Sequence, residues 1–121
     1  MTKKILVIDD SPFVFKAVTR ALTDSTEYEV VGNALDGQLG IEKYIELKPD
    51  VITLDVTMPV MDGLETAKKL VEINPNVKII MLSAMGDETL LNEAKGIGVK
   101  HFLMKPFKPD TLKDKLAEVF N

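Results

Sequence analysis

Lys4-Ile5-Leu6-Val7-Ile8-Asp9-Asp10 runs four consecutive apolar residues into two carboxylates. A short unbroken apolar run rich in β-branched side chains reads as a strand buried on both faces rather than one face of a helix. Four further runs repeat the theme: Tyr28–Gly32, Val51–Asp55, Lys78–Ser83 and His101–Lys105. Between them apolar residues recur at helical spacing, as in Val14, Val18, Ala21 and Leu22, in Leu64, Ala67, Leu70 and Val71, and in Leu112, Leu116, Val119 and Phe120. Pro49-Asp50 and Asn74-Pro75-Asn76 stop helices before the third and fourth strands, while Asp62 with Glu65 resembles a capping box that opens the third helix. The pattern predicts five strands alternating with five helices. Strict alternation builds an α/β fold, a parallel sheet with helices on both faces, because parallel neighbours need right-handed crossover connections.

The chain of 121 residues fits one domain, residues 1–121, without repeats, linker or low-complexity tail. Hydrophobic residues at 45% and charged residues at 28% exclude a disordered or fibrous chain. A net charge of −4 gives no electrostatic footprint for nucleic acid or an anionic membrane. With no cysteine and one histidine, disulfides, thiol catalysis and His-based zinc sites are excluded, leaving oxygen ligands, hydroxyls and amines. The apolar run Ile5–Ile8 is too short for a signal-peptide core or a membrane span, so a cytoplasmic, monomeric protein is expected.

Folds of this class place their site outside the carboxyl ends of the strands, where strand order reverses. Asp9 and Asp10 stand there after the first strand, Asp55 after the third, Ser83 after the fourth and Lys105 after the fifth. If the first and third strands are neighbours, three carboxylates converge and cannot all stay ionised without a cation between them. Mg²⁺ suits such a set, being a hard ion held by one or two carboxylates together with a phosphate. The chemistry that follows is phosphoryl transfer onto a carboxylate, with Asp55 as nucleophile and Ser83 in reach of a phosphoryl oxygen. Asp9 and Asp10 are paired as metal holders would be, whereas Asp55 stands alone, with Thr57 two residues on.

Asp9-Asp10-Ser11, Leu54-Asp55-Val56-Thr57-Met58-Pro59-Val60-Met61-Asp62-Gly63, Ser83-Ala84 and Lys105-Pro106-Phe107 together resemble the signature set of response-regulator receiver domains. The resemblance spans essentially the whole chain. It implies a doubly wound, flavodoxin-like five-stranded parallel sheet of strand order 2-1-3-4-5. It further implies that Asp55 takes a phosphoryl group from a histidine kinase, that Asp9, Asp10, Asp55 and the backbone carbonyl of Thr57 hold Mg²⁺, and that Lys105 completes the site. Ser83 and Phe102 fall at the switch positions, so that phosphorylation would remodel the face built from strand 4, helix 4, strand 5 and helix 5. The Lys105-Pro106 bond resembles the family's cis peptide. Phe102 departs from the tyrosine of many chemotaxis members and has no hydroxyl to offer a partner.

Two outputs stay open within the family: a chemotaxis messenger acting on a flagellar motor switch protein, or a relay passing its phosphoryl group to a downstream phosphotransfer protein. A phosphatase is a further expected partner. Outside the family, a nucleotide or flavin carrier would need a glycine-rich cradle, and Asp9-Asp10-Ser11-Pro12-Phe13 has none. A small metal-dependent phosphatase would need a cap to enclose its substrate. Gly63 is read as either permitting a tight backbone passage or simply following the Asp62 cap, and is not counted in the site. His101 is read as a strand-edge residue, and the five internal methionines, Met58, Met61, Met81, Met85 and Met104, as core filler. Lys95, Lys100, Lys105 and Lys108 cluster towards the fifth strand.

Overall fold

A computed structural model describes residues 2–121. Among them β1 (Lys3–Ile8), α1 (Pro12–Ala21), β2 (Tyr28–Ala34), α2 (Gly37–Leu47), β3 (Val51–Asp55), α3 (Gly63–Ile73), β4 (Ile79–Ser83), α4 (Glu88–Ile97), β5 (His101–Met104) and α5 (Pro109–Val119) alternate. The strands form one parallel sheet in the order β2-β1-β3-β4-β5, the order implied by the resemblance. The chain leaves β1 towards β2, then crosses back to place β3 on the other side of β1. The crevice therefore opens at the carboxyl ends of β1 and β3.

Alternation along each strand sorts the apolar side chains into two cores. Ile5, Val7, Val51, Ile80, Leu82 and Leu103 pack under α1 and α5, meeting Val18, Leu112 and Leu116. Leu6, Ile8, Ile52, Leu54 and Met81 face the other way, against Ile41 of α2, Ala67 and Leu70 of α3 and Ala94 of α4. Every residue of β3 and β4 is buried, which accounts for their largely apolar sequences, Val51-Ile52-Thr53-Leu54 and Ile79-Ile80-Met81-Leu82, ahead of the terminal Asp55 and Ser83. The edge strands β2 and β5 are only partly covered. β2 runs two residues past its apolar stretch and carries a register shift: Ile5 stands opposite Val30 and Leu6 opposite Gly32, leaving Val31 unpaired.

Short polar residues start the helices. Ser11 caps α1 with Pro12 in its first turn, Asp36 accepts from Leu39 N–H at 2.9 Å to cap α2, and Asp62 accepts from Glu65 N–H at 2.9 Å to cap α3. No helix among the described residues is long and apolar enough to cross a membrane.

Among the described residues three buried side-chain oxygens lack a hydrogen-bond partner, Asp9 Oδ2, Asn33 Oδ1 and Thr53 Oγ1. Thr53 of β3 is fully buried between Val7 and Ile80 in the sheet, and its hydroxyl makes no hydrogen bond. An orphaned hydroxyl costs about 1–3 kcal/mol in desolvation. Thr53→Val keeps the branched shape and removes that cost, so the unfolding free energy in urea should rise by about 1 kcal/mol. An unchanged or lower value would show that the hydroxyl is satisfied.

Candidate functional site

Ile8 of β1 and Leu54 of β3 are register partners, so Asp9 and Asp55 emerge side by side from adjacent strands. Asp10 follows from the same exit, and the three carboxylates each place an oxygen within 4.8 Å of the others. Asp9 and Asp55 are buried and Asp10 is exposed. Asp9 Oδ1 accepts from Ser11 N–H at 2.9 Å, while its Oδ2 has no hydrogen-bond partner and faces Lys105 Nζ at 3.6 Å. Lys105 Nζ donates to Asp55 Oδ1 at 3.2 Å, and Thr57 N–H reaches the same oxygen at 3.4 Å. One ammonium thus answers three carboxylates.

The titration of these groups follows from that imbalance. Burial pushes Asp9 up to about 6, against the relief supplied by the Ser11 N–H, and the Asp55 charge adds to the rise. Burial likewise raises Asp55, with Lys105 and the Thr57 N–H opposing it. Burial alone would lower Lys105, but Asp9 and Asp55 together outweigh it and raise its pKa. A buried, unpartnered carboxylate oxygen beside two more carboxylates, in an all-oxygen set, fits a hard divalent cation.

Three loops hold the arrangement. Gly63 N–H donates to Val56 O at 2.9 Å, and a Cβ at Gly63 would collide with Asp55 O and with Val56 Cα. The start of α3 therefore lies directly against the backbone that carries Asp55, a passage open only to glycine. Val60, in the same loop, sits at φ 68° and is 82% exposed, a strained left-handed conformation for a β-branched residue. Lys105 N–H donates to Ser83 O at 2.7 Å, linking the ends of β5 and β4, and the Lys105-Pro106 peptide is cis. After Ser83, Asp87 Oδ2 accepts from Ala84 N–H at 2.8 Å, so this carboxylate closes the loop instead of capping α4.

The receiver-domain model for response regulators matches residues 5–117. The chain belongs to the response-regulator receiver family. It is 41% identical to a chemotaxis protein CheY of Thermotoga maritima over 119 residues, 98% of each chain, and 36% identical to a chemotaxis protein CheY of Bacillus subtilis over the full length of both. Among solved structures it resembles a CheX-CheY-BeF3-Mg complex from Borrelia burgdorferi, with TM-score 0.90 and 33% identity over 98% of this chain and 90% of that one.

The receiver brings Asp9, Asp10, Asp55 and Lys105 into one cluster. Ser83 is 2% exposed at the end of β4, and Thr57 lies in the loop after Asp55, touching it through its N–H. Phe102 lies in β5 opposite Met81 and packs on the α4 side of the sheet, outside the carboxylate cluster. His101 does begin an edge strand. Met58, Met61 and Met81 are core filler, but Met85 is 87% and Met104 54% exposed, a correction to their reading as filler: Met85 stands beside the Gly86 turn at φ 97°, and Met104 ends the partly covered edge strand β5. Gly63 belongs to the scaffold of the site, and Asp87 was given no role by its sequence context; both depend on contacts made only after folding.

Two expectations follow for the receiver. Asp9 and Asp55 have folded-state pKa values above those of a free carboxylate, so the folded chain binds more protons than the unfolded one between roughly pH 4 and 6. That contribution is full below the window and is lost as pH rises through it. Without metal, the drop in urea midpoint between about pH 5 and about pH 7.5 should be larger for the wild type than for Asp9→Asn; equal drops would clear Asp9 as its source. Gly63→Ala should cost more than about 2 kcal/mol and displace Asp55, and a variant of wild-type stability would contradict the close passage.

Proposed function

We propose that this receiver is a phosphoryl-accepting switch of the chemotaxis CheY type, acting in the cytoplasm, in which Asp55 is the acceptor. The observation that carries this reading is the Lys105 ammonium held between Asp55 Oδ1 at 3.2 Å and the unpartnered Asp9 Oδ2 at 3.6 Å. Asp9, Asp10, Asp55 and the Thr57 carbonyl would hold Mg²⁺, which when bound supplies charge neutralisation for the transferring group. An Asp55 carboxylate oxygen attacks the phosphorus of a kinase phosphohistidine; the O–P bond forms as the P–N bond breaks, and the imidazole leaves with the electron pair and takes a proton from solvent. Water attack on the same phosphorus later returns the carboxylate and inorganic phosphate.

Lys105 is the group that reports the change. In the resting protein its charge is committed to Asp55 and Asp9; once Asp55 carries a phosphoryl group, the added oxygens offer it better acceptors. Ser83, one strand over, supplies a hydroxyl donor, and its peptide is tied to Lys105 through the bond from Lys105 N–H to Ser83 O. Movement of Ser83 must rearrange the loop closed by Asp87 and open space beside Phe102, altering the face made by β4, α4, β5 and α5. Support for a chemotaxis output comes from CheY relatives that match this chain along almost their whole length. A flagellar motor switch protein is then the target, with a histidine kinase as donor and a phosphatase resetting the switch.

Incubation with Mg²⁺ and acetyl phosphate should give a single phosphoryl adduct by intact-protein mass spectrometry, absent in Asp55→Asn and absent with a chelator. An undiminished adduct in Asp55→Asn would move the acceptor elsewhere. Lys105→Ala should keep most of the adduct while losing the phosphorylation-dependent gain in binding to a motor-switch peptide. A wild-type protein whose binding to that peptide is indifferent to phosphorylation would favour the relay output instead.

A further inference from the structure

Gly98 adopts φ 122°, and its N–H together with that of Val99 returns to the carbonyls of the last turn of α4. This reversal folds β5 back beside the helix it has just left, setting Lys95 against Phe102. Lys95 Nζ lies 5.7 Å from the centroid of the Phe102 ring, within the range in which a cation is drawn to an aromatic face. Lys95 is exposed and takes no part in the ion pairs among the described residues, which join Lys105 to Asp9 and Asp55 and Lys115 to Glu118. Phe102 has no hydroxyl with which to fix its ring by a hydrogen bond. The facing ammonium is the polar contact available to it.

We propose that Lys95 is a positioning residue that latches the Phe102 ring against the end of α4 in the unphosphorylated protein, so that switching must first break a cation–π contact. The proposal rests on the phosphoryl-switch reading above. A ring that moves towards space opened by Ser83 leaves the ammonium behind, and the contact is therefore worth more in the resting state than in the switched one. A ligand that favours the switched state must overcome this difference. Lys95 also sits where its charge complements the carbonyl end of α4, a role that would be indifferent to the ring.

The test separates these roles by a double-mutant cycle. Beryllofluoride affinity at saturating Mg²⁺ is measured by calorimetry for the wild type, Lys95→Met, Lys95→Arg, Phe102→Leu and the Lys95→Met/Phe102→Leu double variant. Lys95→Met should bind about two- to five-fold more tightly, the scale of an exposed cation–π contact. Lys95→Arg should stay near wild type, and Lys95→Met should have no effect in the Phe102→Leu background. With 4-fluorophenylalanine at position 102, the resting ¹⁹F resonance should move towards its beryllofluoride-bound position in Lys95→Met. An equal gain in both backgrounds, or no gain and no resonance shift in Lys95→Met while the wild type binds normally, would overturn the latch. A wild type that fails to bind beryllofluoride would overturn the switch reading itself and the latch with it.

Discussion

A single ammonium facing two buried carboxylates is the interaction on which the site depends. Asp9 and Asp55 are delivered by adjacent central strands paired in register through Ile8 and Leu54, so the two carboxylates emerge side by side. Lys105 reaches them from the far side of the order reversal, yet it offers one charge to both, and Asp10 adds a third anion at the rim. The burial that raises Asp9 and Asp55 is a standing cost to the fold. A cation placed among the carboxylates would relieve that cost.

The rest of the architecture keeps these groups in place while leaving their neighbours free to move. Two apolar cores clamp β1, β3 and β4 from both faces. Gly63 lets α3 start directly against the Asp55 peptide, which fixes Asp55 from below. The β4–α4 segment is held more loosely: its closing bond comes from Asp87, and α4 lacks a side-chain cap. Rigid support beneath the carboxylates and a lightly tied loop beside Ser83 are the ingredients of a two-state element coupled to a charge event.

Much of this was legible in the chain. The apolar runs of β1, β3 and β4 end in polar residues because the strands are buried along their length and meet solvent only at the carboxyl edge, so Asp9, Asp55 and Ser83 could be read from position alone. Lys105 followed from the same logic on an edge strand. What stayed hidden depends on contacts between segments distant in sequence. Gly63 could be read either as a tight backbone passage or as a residue following the Asp62 cap, and only the folded contact with Asp55 O decides for the passage; nothing near Asp87 shows that it serves a loop rather than a helix end. The skipped Val31 in β2 arises from pairing with β1, and the exposure of Met85 from a glycine turn. The meeting of Lys95 and Phe102 needs the Gly98 reversal between α4 and β5, a contact that exists only in the folded chain.

The carboxylates are held too close for the charge present, an excess that a divalent cation would resolve. The most direct measurement is the thermal unfolding midpoint at neutral pH as Mg²⁺ is raised, with Na⁺ at matched ionic strength as control. A cation that binds the folded state alone must raise the midpoint in a saturable way. The account predicts that rise for the wild type, together with a higher starting midpoint and a blunted response in Asp9→Asn. A wild-type midpoint that does not respond to Mg²⁺, or an Asp9→Asn variant that responds fully, would contradict it.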